Sequence, residues 1–424
     1  MKTLIKNGHL IDPKNKKDGV WDLLIENGRV LDVLKPGKKI DADIVDAKGC
    51  IVAPGFVDLH THLREPGEEY KETIHTGTMA AAAGGFTSVC CMANTLPVND
   101  NASVTRNILK QARETGVVNV FPIGALTLGL KGETLTPMSE LKKAGCIALS
   151  DDGKAVANAQ VMRLAMEYAK SFNLPVITHS IDPVLAGKGT MNEGFTSTRL
   201  GLAGIPNEAE DIMIARDIYL AKLTGASLHV AHVSTREGVR QIAWAKKAGL
   251  PVTCEVSPHH FTLTDEAIGC YNTHAKMAPP LRSDDDRQAL IEGLADGTID
   301  AIATDHAPHG IIDKEIEFGE AACGVVGLET ALSLALQLVE KKKITLKRMI
   351  ELFTINPSKI VFLQKGSLGV GDDADVVVFD PKISYTVDPS RFYSKSRNTP
   401  FVGMKVKGKV KYTVVGGKVV YKLL

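Results

Sequence analysis

Residues 57–67 read VDLHTHLREPG. An apolar run ends in His60 and His62, and Arg64 follows two positions later, before Pro-Gly. In a β-strand, residues i, i+2 and i+4 project to one face. A strand here therefore aims two imidazoles and a guanidinium in one direction. Seven more runs of the same apolar character follow: FTSVCCM, VVNVFPIGAL, CIALS, PVITHS, SLHVAHVS, PVTCEVS and DAIATD. Counting the first as GFVDLH, there are eight. Stretches with helical periodicity, such as AQVMRLAMEYAKSF and NEAEDIMIARDIYLAKLTG, lie between them. Eight strand–helix units across residues 56–365 predict an α/β fold, a (β/α)₈ TIM barrel.

Both ends of the chain read differently. Residues 1–55 carry short β-like runs with Asn-Gly hairpin signals, and residues 366–424 carry more of the same, as in ADVVVFDP and KVKYTVVGGKVVY. Chain termini often lie close together, so the two pieces are expected to form one small composite β-sandwich domain.

The 424 residues are 44% hydrophobic, enough for a large core, and the formal net charge is +1. That balance gives no reason to expect nucleic acid or an anionic membrane as partner. No apolar run has the length of a membrane span, and the start has no signal-peptide core. Seven cysteines without paired spacing read as free thiols, and the cytoplasm as the compartment. The adjacent Cys90 and Cys91 read as core packing.

Parallel strands buried on both faces should carry few polar side chains. Here five of the eight end in metal-type residues: His60 and His62, Asp151 and Asp152, His179, His232, and Asp305. Barrel enzymes place their chemistry at those ends. Imidazole and carboxylate suit zinc or a similar divalent ion. The expected centre holds two ions about 3.5–4 Å apart, bridged by a hydroxide. His60, His62 and Asp305 would hold one, His179 and His232 the other, and Asp152 would bridge them. Asp305 also suits the acid/base role, taking a proton from the attacking water and passing it to a leaving nitrogen.

DLHTHLREPG, CCMANT, LSDDG, THS, HVAHVST, CEVSPHH and ATDHAPH together resemble the successive motifs of class I dihydroorotases, in the amidohydrolase superfamily. GSLGVGDDADVVVFDP and SKSRNTPFVGMKVKGKV are similar to that family's C-terminal segment, so the resemblance spans the chain. It implies reversible cyclisation of N-carbamoyl-L-aspartate to L-dihydroorotate, a step of pyrimidine synthesis, with two zinc ions per subunit bridged by Asp152 and hydroxide. It assigns Asp305 as catalytic acid/base and Arg64, Asn94 and His309 to the substrate carboxylate. A guanidinium fork binds a carboxylate in two-point fashion, and Asn and His add directional hydrogen bonds. By the same resemblance a homodimer is expected, and association with an aspartate transcarbamoylase is a further expectation.

Two positions depart from the family's pattern. Ala278 stands in AKMAPPLR where the family often has an asparagine that touches substrate. Cys323 and Gly324 stand at a substrate loop that is often Phe-Gly or Pro-Gly, where backbone groups should make the contacts. The neighbouring loop, 310–322, is expected to close over the site.

The remaining polar residues read as structural. His229 faces away from His232 on a strand, His259 and His260 pack behind the site, and His306 alternates away from Asp305. His9, His75 and His274 belong to surface or packing, and Asp151 to a turn or cap. Lys154, two residues past Asp152, is not expected to be a carboxylated metal bridge. Three other functions compete: a hydantoinase, an allantoinase, or a non-catalytic subunit scaffolding the transcarbamoylase. The first two act on rings without a carboxylate, which leaves Arg64 without a purpose. The third usually lacks several ligands, whereas all six are present here.

Overall fold

A computed structural model describes residues 2–423. All eight expected strands form: Phe56–Thr61, Phe86–Cys91, Asn119–Gly124, Ala148–Ser150, Val176–Thr178, Leu228–Val230, Val252–Val256 and Ala301–Ile302. Each pairs in parallel with the next in chain order. The ring closes where Thr61 bridges His306. Leu59, Cys90, Ile123, Ala148, Ile177 and Ala301 meet in one cluster. Six strands contribute to it, so it is the barrel interior, and Cys90 is core as expected.

The helices outside obey ordinary local rules. Asn101 and Asn158 cap the helices Ala102–Thr115 and Ala159–Lys170 by accepting from the first backbone N–H groups. Helix Ile74–Gly84 ends at Gly85, whose φ of 89° reverses the chain into the second strand. A Cβ there would sit 2.7 Å from Val377 of the second sheet, so this glycine also allows that sheet and the barrel to touch.

Both chain ends form one hydrogen-bonded sheet. Strand Ile51–Pro54 runs antiparallel to Val376–Thr386, which joins the N-terminal strands Lys2–Asp12, Lys17–Glu26 and Arg29–Leu34 to the C-terminal strands Lys405–Val415 and Lys418–Lys422. Ile5, Leu23, Val52, Val376 and Val414 share one core, and Gly28 approaches Gly416. The sheet thus curls until its two halves face each other. Phe56, stacked on Phe353 at 5.0 Å and near Phe379 at 6.3 Å, anchors this sheet to the barrel.

Candidate active site

The six metal-type residues converge at the C-terminal ends of the strands. His60 Nε2 faces Asp152 Oδ1 at 3.3 Å and Asp305 Oδ1 at 3.6 Å. His62 Nε2 lies 3.2 Å from Asp305 Oδ1 and 3.5 Å from Asp152 Oδ2. His179 Nδ1 and His232 Nε2 reach Asp152 Oδ1 at 3.6 and 3.5 Å. Asp152 therefore stands at the centre, touching all four imidazoles. The ligand atoms of His60, His62 and Asp305 lie within 4.8 Å of one another, as do those of His60, Asp152 and His232.

The donor set fits divalent metal. His60 Nε2 and Asp152 Oδ1 are buried yet have no hydrogen-bond partner, an arrangement that costs free energy unless a cation joins them. Both first-strand histidines are tied from behind. His60 Nδ1 donates to Glu255 Oε1 at 2.9 Å, and His62 Nδ1 donates to Asn94 Oδ1 at 2.8 Å. Each tie puts the proton on Nδ1 and turns the Nε2 lone pair into the site, which is how metal-ligating histidines are oriented.

Burial drives the carboxyls of Asp152 and Asp305 upward, but the histidines around them outweigh it. For Asp152 these are His60, His179 and His232; for Asp305, the His62 hydrogen bond leads, then His60 and His232. Both stay well below the usual carboxylate range and are ionised.

Sequence reasoning missed Glu255. This acid sits in the apolar strand Val252–Val256, 1% exposed, and receives His60 on one oxygen and His229 Nε2 on the other, at 3.1 Å. Burial raises its carboxyl, but His229 and His60 bring it down to about 2. His229 is accordingly structural, as expected, with Nδ1 against Thr253 Oγ1 at 2.9 Å. An acid inside CEV was the available signal. Asp58 was missed too. It accepts from His60 N–H, Thr304 N–H and Thr304 Oγ1, and so fastens the first strand to the end of the eighth.

The alternation that puts Arg64 on the face of His60 and His62 stops at Thr61, where the strand ends. Arg64 instead takes φ of 61°, one of three site residues in the left-handed region, with His232 at 35° and Asp305 at 47°. Non-glycine residues held there cost about 1–3 kcal/mol each and persist where surrounding contacts fix them. The turn carries the guanidinium to His309. Arg64 is 7% exposed; its Nε donates to the Pro308 carbonyl at 3.1 Å, and an NH2 group lies 3.3 Å from His309 Nε2. That ring nitrogen also lies 2.8 Å from the Cys323 carbonyl. As a donor to Cys323 it offers Arg64 no lone pair, so this edge of the guanidinium still requires an acceptor. Burial and the charges of Arg64 and Lys314 push His309 down to about 2, so it is neutral at ordinary pH.

The other expected substrate residues are less direct. Asn94 is near, but its oxygen is committed to His62. Ala278 packs beside the apolar group Ile181, Ile205 and Ala209. The backbone of Gly324 is already engaged, its N–H on the Lys276 carbonyl and its C=O accepting from Asn398. Gly324 has φ of 138°, and an added Cβ would come 2.7 Å from Ala307, so its contribution is room beside His309. The loop over 310–322 includes a short helix, Ile311–Lys314, and is held from below. Lys276 Nζ donates to the Gly319 carbonyl and Lys314 Nζ to the Ala322 carbonyl, each at 2.6 Å.

Asp151, expected to serve a turn or cap, instead accepts from the distant Leu126 N–H and Thr127 N–H and ties the third strand's end to the fourth, while Lys154 is exposed. His259 and His260 are buried behind the site, with His260 Nε2 on the Pro279 carbonyl. His306 is more than packing, since its Nε2 donates to the buried Glu72 at 3.2 Å.

Comparison with known proteins agrees with this geometry. Residues 49–238 match a family described as Dihydro-orotase-like, and residues 246–421 match the Amidohydrolase family. The chain is 53% identical to a dihydroorotase of Geotalea daltonii over 423 residues and 54% identical to one of Geobacter metallireducens over 426, covering 100% of both chains in each case. This chain belongs to the dihydroorotase family. Among solved structures, an L-hydantoinase (dihydropyrimidinase) from Arthrobacter aurescens superposes with a TM-score of 0.90 at 27% identity, covering 100% of this chain and 97% of that one. A dihydropyrimidinase from Brevibacillus agri gives 0.86 at 26%, covering 100% and 95%. This chain thus shares its fold with the hydantoinases. Among the described residues, no helix is long and apolar enough to cross a membrane.

Proposed function

We propose that this dihydroorotase interconverts L-dihydroorotate and N-carbamoyl-L-aspartate in pyrimidine synthesis, using two zinc ions per subunit. The observation that carries the substrate choice is Arg64, buried beside the metal-type cluster, with no lone pair from His309 for its NH2 group and Glu68 Oε2 only at 3.8 Å from NH1. The ring carboxylate of dihydroorotate supplies an acceptor; hydantoin has no carboxylate to offer.

His60, His62 and Asp305 would hold one ion, His179 and His232 the other, with Asp152 between them. Metal bound there lowers the pKa of water and polarises a carbonyl oxygen. Arg64 fixes the substrate carboxylate, with His309 packed beside it, which places the ring amide over the cluster. Asn94 directs its NH2 group to the same ligand while its oxygen holds His62. Asp305, kept ionised by its histidine neighbours, accepts the proton of the attacking water. It then delivers that proton to the ring nitrogen as the C–N bond breaks, and the reverse order closes the ring. Neutral His309, its one N–H held by the Cys323 carbonyl, lines the pocket beside Arg64 without adding charge. Ala278 leaves an apolar wall where an amide is common. The non-catalytic alternative is disfavoured because all six ligands converge. A cytoplasmic homodimer, alone or with aspartate transcarbamoylase, completes the proposal, and light scattering with and without that partner tests it.

Metal content and turnover are to be measured on one preparation, with dihydroorotate and hydantoin as substrates. Two zinc ions per chain and turnover of dihydroorotate alone are expected. Turnover of hydantoin alone would overturn the substrate assignment. Full metal loading with neither activity would favour the scaffold.

A further inference from the structure

The stretch SKSRNTP at 394–400 has no role in the chemistry above, yet it runs beneath the Arg64–His309 pocket. Its first residues meet the loop that follows Arg64. Ser394 Oγ and Lys395 N–H both donate to the buried Glu72, and Ser396 Oγ donates to the Lys71 carbonyl at 2.7 Å. Its last residues meet the loop that carries His309. Asn398 is 2% exposed, and its Oδ1 accepts from His309 N–H at 3.0 Å. Its Nδ2 donates to the Ala307 carbonyl at 2.9 Å and to the Gly324 carbonyl at 3.0 Å. The Asn398 carbonyl in turn accepts from Val326 N–H. One amide thus joins both flanks of His309 and the glycine that leaves room for its ring.

We propose that Asn398 is the positioning residue of the carboxylate pocket, setting His309 against Arg64 from the C-terminal part of the chain. The proposal rests on the reading of Arg64 as the carboxylate binder, with His309 packed beside it. Only an amide satisfies this place. It needs one acceptor toward an N–H and two donors toward carbonyls, and asparagine supplies them within one short side chain. Aspartate has the same shape but turns an anionic oxygen toward two carbonyls. Alanine leaves all three backbone groups buried without partners. The metal ligands sit on strand ends that have their own ties through Glu255, Asp58 and Asn94. Displacing His309 should therefore weaken substrate binding before it disturbs the metals.

The test is a double-mutant cycle on the metal-loaded enzyme, with Asn398→Ala, Arg64→Ala and the pair, reading kcat, KM for dihydroorotate and metal content. Asn398→Ala is expected to raise KM about tenfold, with kcat within about threefold and metal content unchanged. In the Arg64→Ala background the further rise should be under about twofold, because the partner for which His309 is set has gone. Equal factors in both backgrounds, a fall confined to kcat, or loss of metal would each overturn the assignment. Asn398→Asp must give the same split, and it carries the test alone if the alanine variant does not fold. If Arg64→Ala leaves KM unchanged, the carboxylate reading itself fails. If Arg64→Ala raises KM but the two effects multiply, only the role of Asn398 fails.

Discussion

The metal-type cluster and the Arg64–His309 pocket lie side by side but are built in opposite ways. His60, His62, Asp152, His179, His232 and Asp305 stand on or just past strand ends, so the barrel itself brings them together. Arg64 and His309 stand on loops, and their places are set by contacts from distant parts of the chain: Pro308 for the guanidinium, Asn398 for His309. The first region inherits its geometry from the fold, whereas the second needs its own bracing. One consequence is that relatives can keep the barrel under a different name, as the superposition on an L-hydantoinase illustrates.

Perturbing each region should reveal this division. Asp305→Asn keeps the shape but removes the base, and kcat should fall roughly 10²- to 10⁴-fold with KM little changed. Steady-state kinetics decide it; a fall under about tenfold would move the acid/base role elsewhere. Glu255→Gln acts one step back from the ligands. Loss of the charged tie on His60 should lower metal affinity about 10- to 100-fold while KM at saturating zinc is retained. Competition with a chelator measures this, and a rise in KM alone would place Glu255 with the Arg64–His309 pocket instead.

The smallest effect lies in the loop beside His309. Burial lowers the Lys314 amine to about 8 from the ordinary 10.5. Between those values the unfolded chain keeps the proton and the folded one does not, so this group makes stability rise with pH across the window. The whole rise is about 3 kcal/mol. Urea unfolding at pH 8 and pH 10, compared between the native chain and Lys314→Met, isolates it because other groups titrate alike in both. Parallel behaviour of the two proteins would show that the amine is charged in the fold.

The same division explains what was legible in the sequence. Eight apolar runs and their polar ends are local patterns, and they located the barrel and the metal-type residues that converge at its mouth. Glu255, Asp58, Glu72 and Asn398 carry no such pattern. Each is a single polar residue whose meaning depends on a partner far along the chain, 195 positions from His60 for Glu255 and 246 from Thr304 for Asp58. Arg64 shows the limit of periodicity within one motif. Alternation placed it with His60 and His62, but a left-handed turn sends it to a different partner. At the Cys323–Gly324 loop, sequence does not reveal that the Gly324 N–H and C=O are engaged inside the protein.

The shared sheet has a consequence for how the chain is made. Strand Ile51–Pro54 emerges from the ribosome before the barrel, but its antiparallel neighbour Val376–Thr386 only after it. At about 5–20 residues per second the wait is roughly 15 s to a minute. Throughout that time the barrel can assemble while one edge of the N-terminal sheet stays open. Completion of this sheet therefore reports that the whole barrel has been synthesised, and a chain truncated before residue 376 is left with an unpaired edge available to chaperones and proteases.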